Sequence, residues 1–377
     1  MSEHGRRTRR TLTAGLFALA ALAAAGCDRN PVEPDGTAPE SGAEQLYAKG
    51  APKTSGASWV VSDLGLLPGD RAATAHDVND EGYVVGTSEG VTGLGRGFLF
   101  DGTSMIPLTD AGVFSSAGAV SNSYPLLYAG GWIDDPGVGS RPVRWTIDTS
   151  VSPPSITHTF VSPSWGVVSG VNDSGDTAGR EGATPMIWRA GGTETAISAP
   201  AGQAFESGTA RDINNAGLVV LSFYGQDHDR GFLRLANGTL IELPPQPGDV
   251  SSYAAGISEV LVDGSVYVAG TTWRSENVFH PVRWTVDASS GGILSTWSIS
   301  DNGSSGSTSD TGELAGAFEN RWRDRPAIWT EAASVQLSLP RGISGGDARA
   351  ISPDGRHAAG RGERAQGFRA VLWTRTR

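Results

Sequence analysis

The chain is poor in most of the residues from which a function is usually read. Cys27 is its one cysteine among 377 residues, a lone thiol with no partner in the sequence. Its longest apolar run, residues 12–25, falls short of the roughly 20 residues that cross a bilayer as a permanent helix. No amphipathic helical stretch follows residue 60. A phosphate-cradling glycine loop, a G-x-S-x-G elbow and an HExxH helix are all missing, which removes the common nucleotide, serine-hydrolase and zinc-protease signatures. Six histidines are present, but His228 has no second histidine at metal-ligand spacing. No metal and no cofactor are expected. Positive charge is scarce too, with 29 Lys and Arg against 40 Asp and Glu. Such a surface repels nucleic acid, which is not expected as a partner.

What the chain does have is a beat. A recurring phrase ends on Phe100, Trp145, Trp188, Arg234, Trp284, Trp329 and Trp373, at gaps of 45, 43, 46, 50, 45 and 44 residues. A period of this length marks a repeat array or propeller. The 52 glycines and 11 tryptophans suit many short strands joined by turns. Within each copy, four apolar runs separated by turn residues make a four-stranded antiparallel meander, with strands a to d in order. The fold expected is all-β: a seven-bladed β-propeller over residues 58–377. The last copy ends at Trp373 without a strand d, and residues 59–64 form an orphan strand upstream. That N-terminal strand is expected to complete the seventh blade and close the ring, leaving no open edge. A monomer is expected.

Two columns of the repeat read as structural. The a-to-b turn opens on Asn79, Ser121, Asn172, Asn214, Ser258, Ser309 and Ser352, side chains suited to capping their own turn backbone. The large anchors that end strand c read as inter-blade core, their indole N–H groups finding partners. Arg234 breaks that column, so blade four is expected to be the least well packed.

The N-terminus reads as an export signal over residues 1–26, with Arg6, Arg7, Arg9 and Arg10 before the apolar run and small residues before the cut. Leu22, Ala23, Ala24, Ala25, Gly26 and Cys27 resemble a bacterial lipobox, although Ala24 stands where that pattern prefers Leu. The resemblance implies lipidation at Cys27. Thr8 to Leu12 also resembles a twin-arginine signal. Residues 27–57, rich in Pro, Gly and Ser, are expected to be a flexible tether. Cleavage would leave 25 basic and 39 acidic residues, a net charge of −14. The chain is thus expected at the cell envelope, touching the membrane through its lipid alone.

The phrase Ala75 to Gly86 followed by Arg96 to Phe100, and again Ala210 to Gly217 with Arg230 to Leu233, resembles the HAF repeat of bacterial extracellular proteins. That resemblance implies a secreted repeat protein and no particular activity. Ser352, Pro353, Asp354, Gly355 and Arg356 look like the blade motif of TolB-type propellers, which bind protein partners.

The b-to-c and d-to-a loops should share one face and carry function. Candidate ligand-binding residues there are Trp132, Asp134, Asp135, Tyr224, Asp227, His228, Trp273, Glu276, Trp322 and Asp324. Aromatic faces beside carboxylates suit a carbohydrate or a protein segment. The reading is a binding module for an envelope protein or carbohydrate. A carbohydrate-active hydrolase or lyase with carboxylates around the central channel is the alternative, and no catalytic residue is assigned.

Overall fold

The computed structural model describes residues 58–275, 278–319 and 323–376. The signal segment, the tether, Cys27, Glu276 and Trp322 lie outside the described residues. Within the described part every regular element is a strand, and the 28 strands form seven four-stranded antiparallel sheets.

The first strand is β1 (Trp59–Asp63). Blade one holds β2 (Asp70–Val78), β3 (Val84–Gly90), β4 (Gly95–Phe100) and β5 (Met105–Pro107). Blade two holds β6 (Ser115–Val120), β7 (Leu126–Asp135), β8 (Gly139–Asp148) and β9 (Ser155–Phe160). Blade three holds β10 (Gly166–Val171), β11 (Thr177–Glu181), β12 (Thr184–Trp188) and β13 (Glu194–Ala196). Blade four holds β14 (Ser207–Ile213), β15 (Val219–Tyr224), β16 (Arg230–Arg234) and β17 (Leu240–Leu243). Blade five holds β18 (Ser251–Ile257), β19 (Ser265–Ser275), β20 (Val278–Asp287) and β21 (Ile293–Ser298). Blade six holds β22 (Gly303–Thr308), β23 (Leu314–Phe318), β24 (Arg325–Trp329) and β25 (Ser334–Gln336). Blade seven is β26 (Gly346–Ile351), β27 (His357–Arg364) and β28 (Gly367–Arg375), completed by β1, with Trp59 opposite Arg375 and Asp63 opposite Val371. Each strand a touches the strand a of both neighbouring blades, β2 meeting β26 as well as β6, so the ring is closed and these seven strands form its inner wall.

The turn residues behave as their chemistry requires. Gly82 and Gly217 take φ of 78° and 74°, a left-handed conformation that costs glycine little. Ahead of them, the Asn79 side-chain oxygen accepts from the Tyr83 N–H, and the Ser258 hydroxyl from Tyr267 N–H, at 2.9 Å each. The asparagines also reach across: Nδ2 of Asn79, Asn172 and Asn214 donates to the carbonyl of Ser121, Asn214 and Ser258 respectively. The next position carries a second inter-blade belt that sequence reading missed. The N–H groups of Asp80, Asn122, Asp173 and Asn215 donate to the side chains of Asn122, Asp173, Asn215 and Glu259 in turn. Glu259 N–H then donates to Asp310, and Asp354 N–H to Asp80, carrying the belt across the junction of blades seven and one.

Between blades, Trp145, Trp284, Trp329 and Trp373 are fully buried. Three reach back to the preceding blade: the indole N–H donates to the carbonyl of Leu108 from Trp145, of Pro244 from Trp284 and of Ser338 from Trp373. Trp188 and Trp329 depart from expectation, since their buried indole nitrogens have no hydrogen-bond partner among the described residues. Blade four also corrects the sequence reading. Despite Arg234 in the anchor column, Leu218, Val220, Leu233, Leu235 and Leu243 of blade four form one buried core with Val268 and Trp284 of blade five. Phe223 and Phe232 add a T-shaped ring pair 5.6 Å apart.

Candidate functional site: the lumen and its mouth

All seven inner strands carry a β-bulge at the same place, between Ala75 and Asp77, Ala117 and Ala119, Val168 and Gly170, Ala210 and Asp212, Ala254 and Gly256, Ser305 and Ser307, and Ala348 and Ala350. A bulge adds one residue to one strand and re-aims its side chain. The residues in the bulges are His76, Gly118, Ser169, Arg211, Ala255, Gly306 and Arg349. Each keeps solvent exposure while the residue before it is buried. On an inner strand that exposure belongs to the lumen.

Beside the bulge column the lumen is polar on its blade-seven, -one and -two wall. Arg349 and Arg361 each donate Nε to one oxygen of Asp347 at 3.1 Å. Arg349 Nη1 lies 3.5 Å from His76 Nδ1, His76 Nε2 lies 3.2 Å from the Thr87 hydroxyl, and that hydroxyl bonds Ser116 at 2.7 Å. Burial, then the two arginines, lowers the His76 pKa to about 3, with Asp347 opposing. The imidazole is therefore neutral at ordinary pH. Burial alone would raise the Asp347 carboxyl, but Arg349 and Arg361 outweigh it and hold it below the usual range.

The facing wall is built from blades three to five. Arg211 donates to the Tyr224 hydroxyl at 2.5 Å and lies 4.9 Å from the Tyr253 ring centre. Arg180 lies 4.5 Å from the Trp165 ring centre and donates to the Gly182 carbonyl. Burial, then the charge of nearby Arg211, lowers the Arg180 pKa.

Two further carboxylates, Asp77 and Asp212, sit just past the bulges. Burial pushes both up to about 7 against their backbone hydrogen bonds. Asp77 accepts from Val78 and Val120 N–H, and Asp212 from Ile213 and Ile257 N–H, so each stitches its blade to the next. Asp77, Asp212 and Asp347 thus have both oxygens committed.

The candidates chosen from the sequence fall in several places. Tyr224 belongs to the lumen through Arg211. Trp132 and Trp273 were expected in loops, but they lie in β7 and β19, because the β7–β8 and β19–β20 hairpins run on for ten or eleven residues a strand. Trp132 stands opposite Ser116, and Trp273 tilts against Phe279 with 6.2 Å between ring centres. Asp135 is tied to Arg141 at 2.5 Å, and Asp134 is exposed beside it. Asp227 and His228 lie exposed in the loop between β15 and β16, with His228 edge-on to Phe205 at 6.2 Å. Asp324 is half-buried ahead of β24, its carbonyl accepting from Gly346 N–H. No cluster of His, Cys, Asp and Glu suited to a metal occurs among the described residues.

Sequence reading missed His76, Arg211, Arg349 and Arg361. The first three share one column of the repeat, three residues before the one that opens the turn, where Gly, Ser and Ala occupy the other four blades. Variation inside an otherwise uniform phrase was the available signal.

No protein-family model matches the chain, and no curated protein does. Among solved structures, the β-propeller domain of the Trilobed protease from Pyrococcus furiosus aligns with 81% of this chain and 94% of its own, at 11% identity and a TM-score of 0.50. Virginiamycin B lyase from Staphylococcus aureus aligns with 84% of this chain and 99% of its own, at 12% identity and a TM-score of 0.48. The Pyrococcus domain is described as having an open velcro topology, whereas here β1 is hydrogen-bonded into the last blade. At these identities the likeness is one of fold: the chain is a seven-bladed β-propeller.

Proposed function

We propose that this propeller is a binding module of the bacterial cell envelope, exported by its N-terminal segment, anchored through a lipid on Cys27, and engaging an envelope protein or carbohydrate through the mouth of its lumen. The observation that carries the binding part is the lumen itself. Arginine, tyrosine and histidine side chains are held there on strands rather than loops, while Asp77, Asp212 and Asp347 are all engaged. A glycosidase needs a carboxyl group able to give up or accept a proton beside the scissile bond. Asp77 and Asp212 are raised to about 7, but both oxygens of each accept backbone amides and Asp347 is held by two guanidinium groups, an arrangement that suits recognition better than turnover. The HAF-like phrase and the lipobox-like segment support the compartment.

Lys49 and Lys53 are the chain's two lysines, so amine-reactive cross-linkers would leave the ring unlabelled. A photo-reactive residue placed at Asp227, on the b-to-c face, and another at Ala216, on the a-to-b turns, tests the mouth directly in intact envelopes. Specific adducts at position 227 and none at 216 are expected. Adducts only at 216 would move the working surface to the other end. For the anchor, Cys27→Ser is expected to shift the protein from the membrane fraction to the soluble envelope fraction, and unchanged fractionation would remove the lipid from the reading.

A further inference from the structure

Two guanidinium groups in the lumen share a single carboxylate. Arg349 and Arg361 both pair with Asp347 through Nε, and no other described carboxylate lies within ion-pair distance of either. His76, the next residue along the wall, is neutral. The cluster therefore keeps one uncompensated positive charge, in a chain whose net charge is −11. Each pair uses Nε, and Arg349 Nη1 faces His76, so Arg349 Nη2 and the two Nη groups of Arg361 are the donors left to engage a planar carboxylate. Arg349 and Arg361 have side-chain exposures of 13% and 28%, enough to be reached from the lumen.

The surroundings narrow the ligand further. A single charge deficit matches a monocarboxylate, and a phosphate dianion would overshoot it. Beyond His76 the Thr87 and Ser116 hydroxyls offer donors and acceptors to ring hydroxyls. Trp132 stands opposite Ser116 in register, hence on the same face of its sheet, and offers the flat apolar surface that a sugar C–H face needs. We infer that the blade-seven, -one and -two wall of the lumen binds an acidic sugar of the uronic acid class. Arg349 and Arg361 take its carboxylate, Thr87 and Ser116 its hydroxyls, and Trp132 one face of its ring. This deepens the binding-module reading and rests on it.

Calorimetric titration of the whole protein with glucuronate, glucose and acetate tests the inference. Glucuronate is expected to bind about tenfold or more tightly than either comparison, since one lacks the charge and the other the ring. Arg361→Gln should weaken glucuronate binding about tenfold, and Arg361→Lys, which keeps the charge and loses the fork, should not restore it. Arg189→Gln, on the outer rim, should leave it unchanged, and thermal melts separate lost binding from lost folding. In NMR of ring-labelled histidine, bound glucuronate should move the His76 titration to higher pH, because the new anion screens the two arginines. Equal affinity for glucose, equal affinity for acetate, no heat with millimolar glucuronate, or an unaltered Arg361→Gln variant would each overturn the proposal. If glucuronate fails while the adducts at position 227 persist, the module reading stands and the lumen chemistry falls.

Discussion

A Cβ built on Gly316 would lie 1.9 Å from the Ser304 carbonyl and 2.6 Å from the Trp329 ring, and one on Gly270 would lie 2.0 Å from the Tyr253 carbonyl. The same close approach recurs at Gly131, Gly179 and Gly360, where strand b passes the inner strand just before its bulge. This explains the glycine after two apolar residues in the repeat phrase: the backbone of strand a occupies the space. Gly316→Ala is expected to destabilise the protein by about 3 kcal/mol, the cost of forcing an atom into a filled core. Gly191→Ala, with nothing within 4 Å of the added atom, should leave the melting temperature in place. The tryptophans give a second contrast at this scale. Trp284→Phe removes volume and also strands the Pro244 carbonyl. Trp329→Phe removes volume but deletes an indole nitrogen that has no partner among the described residues. The second change should cost less by about 1 kcal/mol in chemical denaturation, and equal costs would mean that the hydrogen bond contributes nothing.

At the scale of the strand, β1 carries the closure. It covers the outer edge of β28, with Trp59 and Val61 packed against Trp373 and Val371, and Leu64 just beyond it lies in the core shared by blades one and seven. Deleting residues 59–64 would expose a long strand edge and open one inter-blade core. The expected result in scanning calorimetry is loss of the single cooperative transition, and a truncated protein that melts like the parent would refute closure by β1. This strand was legible beforehand because the final copy visibly lacked its fourth strand and an unmatched strand lay upstream. The lumen was not legible, for a physical reason. Alternation along a strand assigns faces with a period of two residues, and the bulge inserts an extra residue into each inner strand. Past that point the assignment flips, which hides Arg211 and Arg349, the residues at the bulges of β14 and β26. Trp132 and Trp273 were misplaced in the opposite sense, because long hairpins carry strand geometry into segments that read as loops.

For the whole molecule, carboxylates from several blades set the response to pH. Asp77, Asp212 and Glu259 are each raised to about 7, with burial the leading cause, and Asp80 and Asp310 are raised as well. In the unfolded chain such groups lose their protons near pH 4. Between about pH 4 and 7 the folded state therefore holds more protons, and its stability falls as pH rises through that window. His76 works the other way: its pKa is lowered to about 3, so its contribution is present above about pH 6.5 and fades as pH falls. Three strongly raised carboxylates outnumber it, and the melting temperature is expected to be higher at pH 5 than at pH 8. A melting temperature that climbs across that interval would contradict the assignment. Asp77→Asn, which cannot ionise, should flatten the slope.

The repeated bulge has one more consequence. It gives every blade one residue turned to the lumen beside a buried neighbour, so seven seats line one channel, with the His76 and Arg349 seats coupled by contact and the Gly306 seat hemmed in by the Arg349 carbonyl. His, Gly, Ser, Arg, Ala, Gly and Arg fill them here. A different set on the same frame would make a receptor for a different guest, with the partners of the occupied seats, Asp347 for Arg349 and Thr87 for His76, changing alongside them.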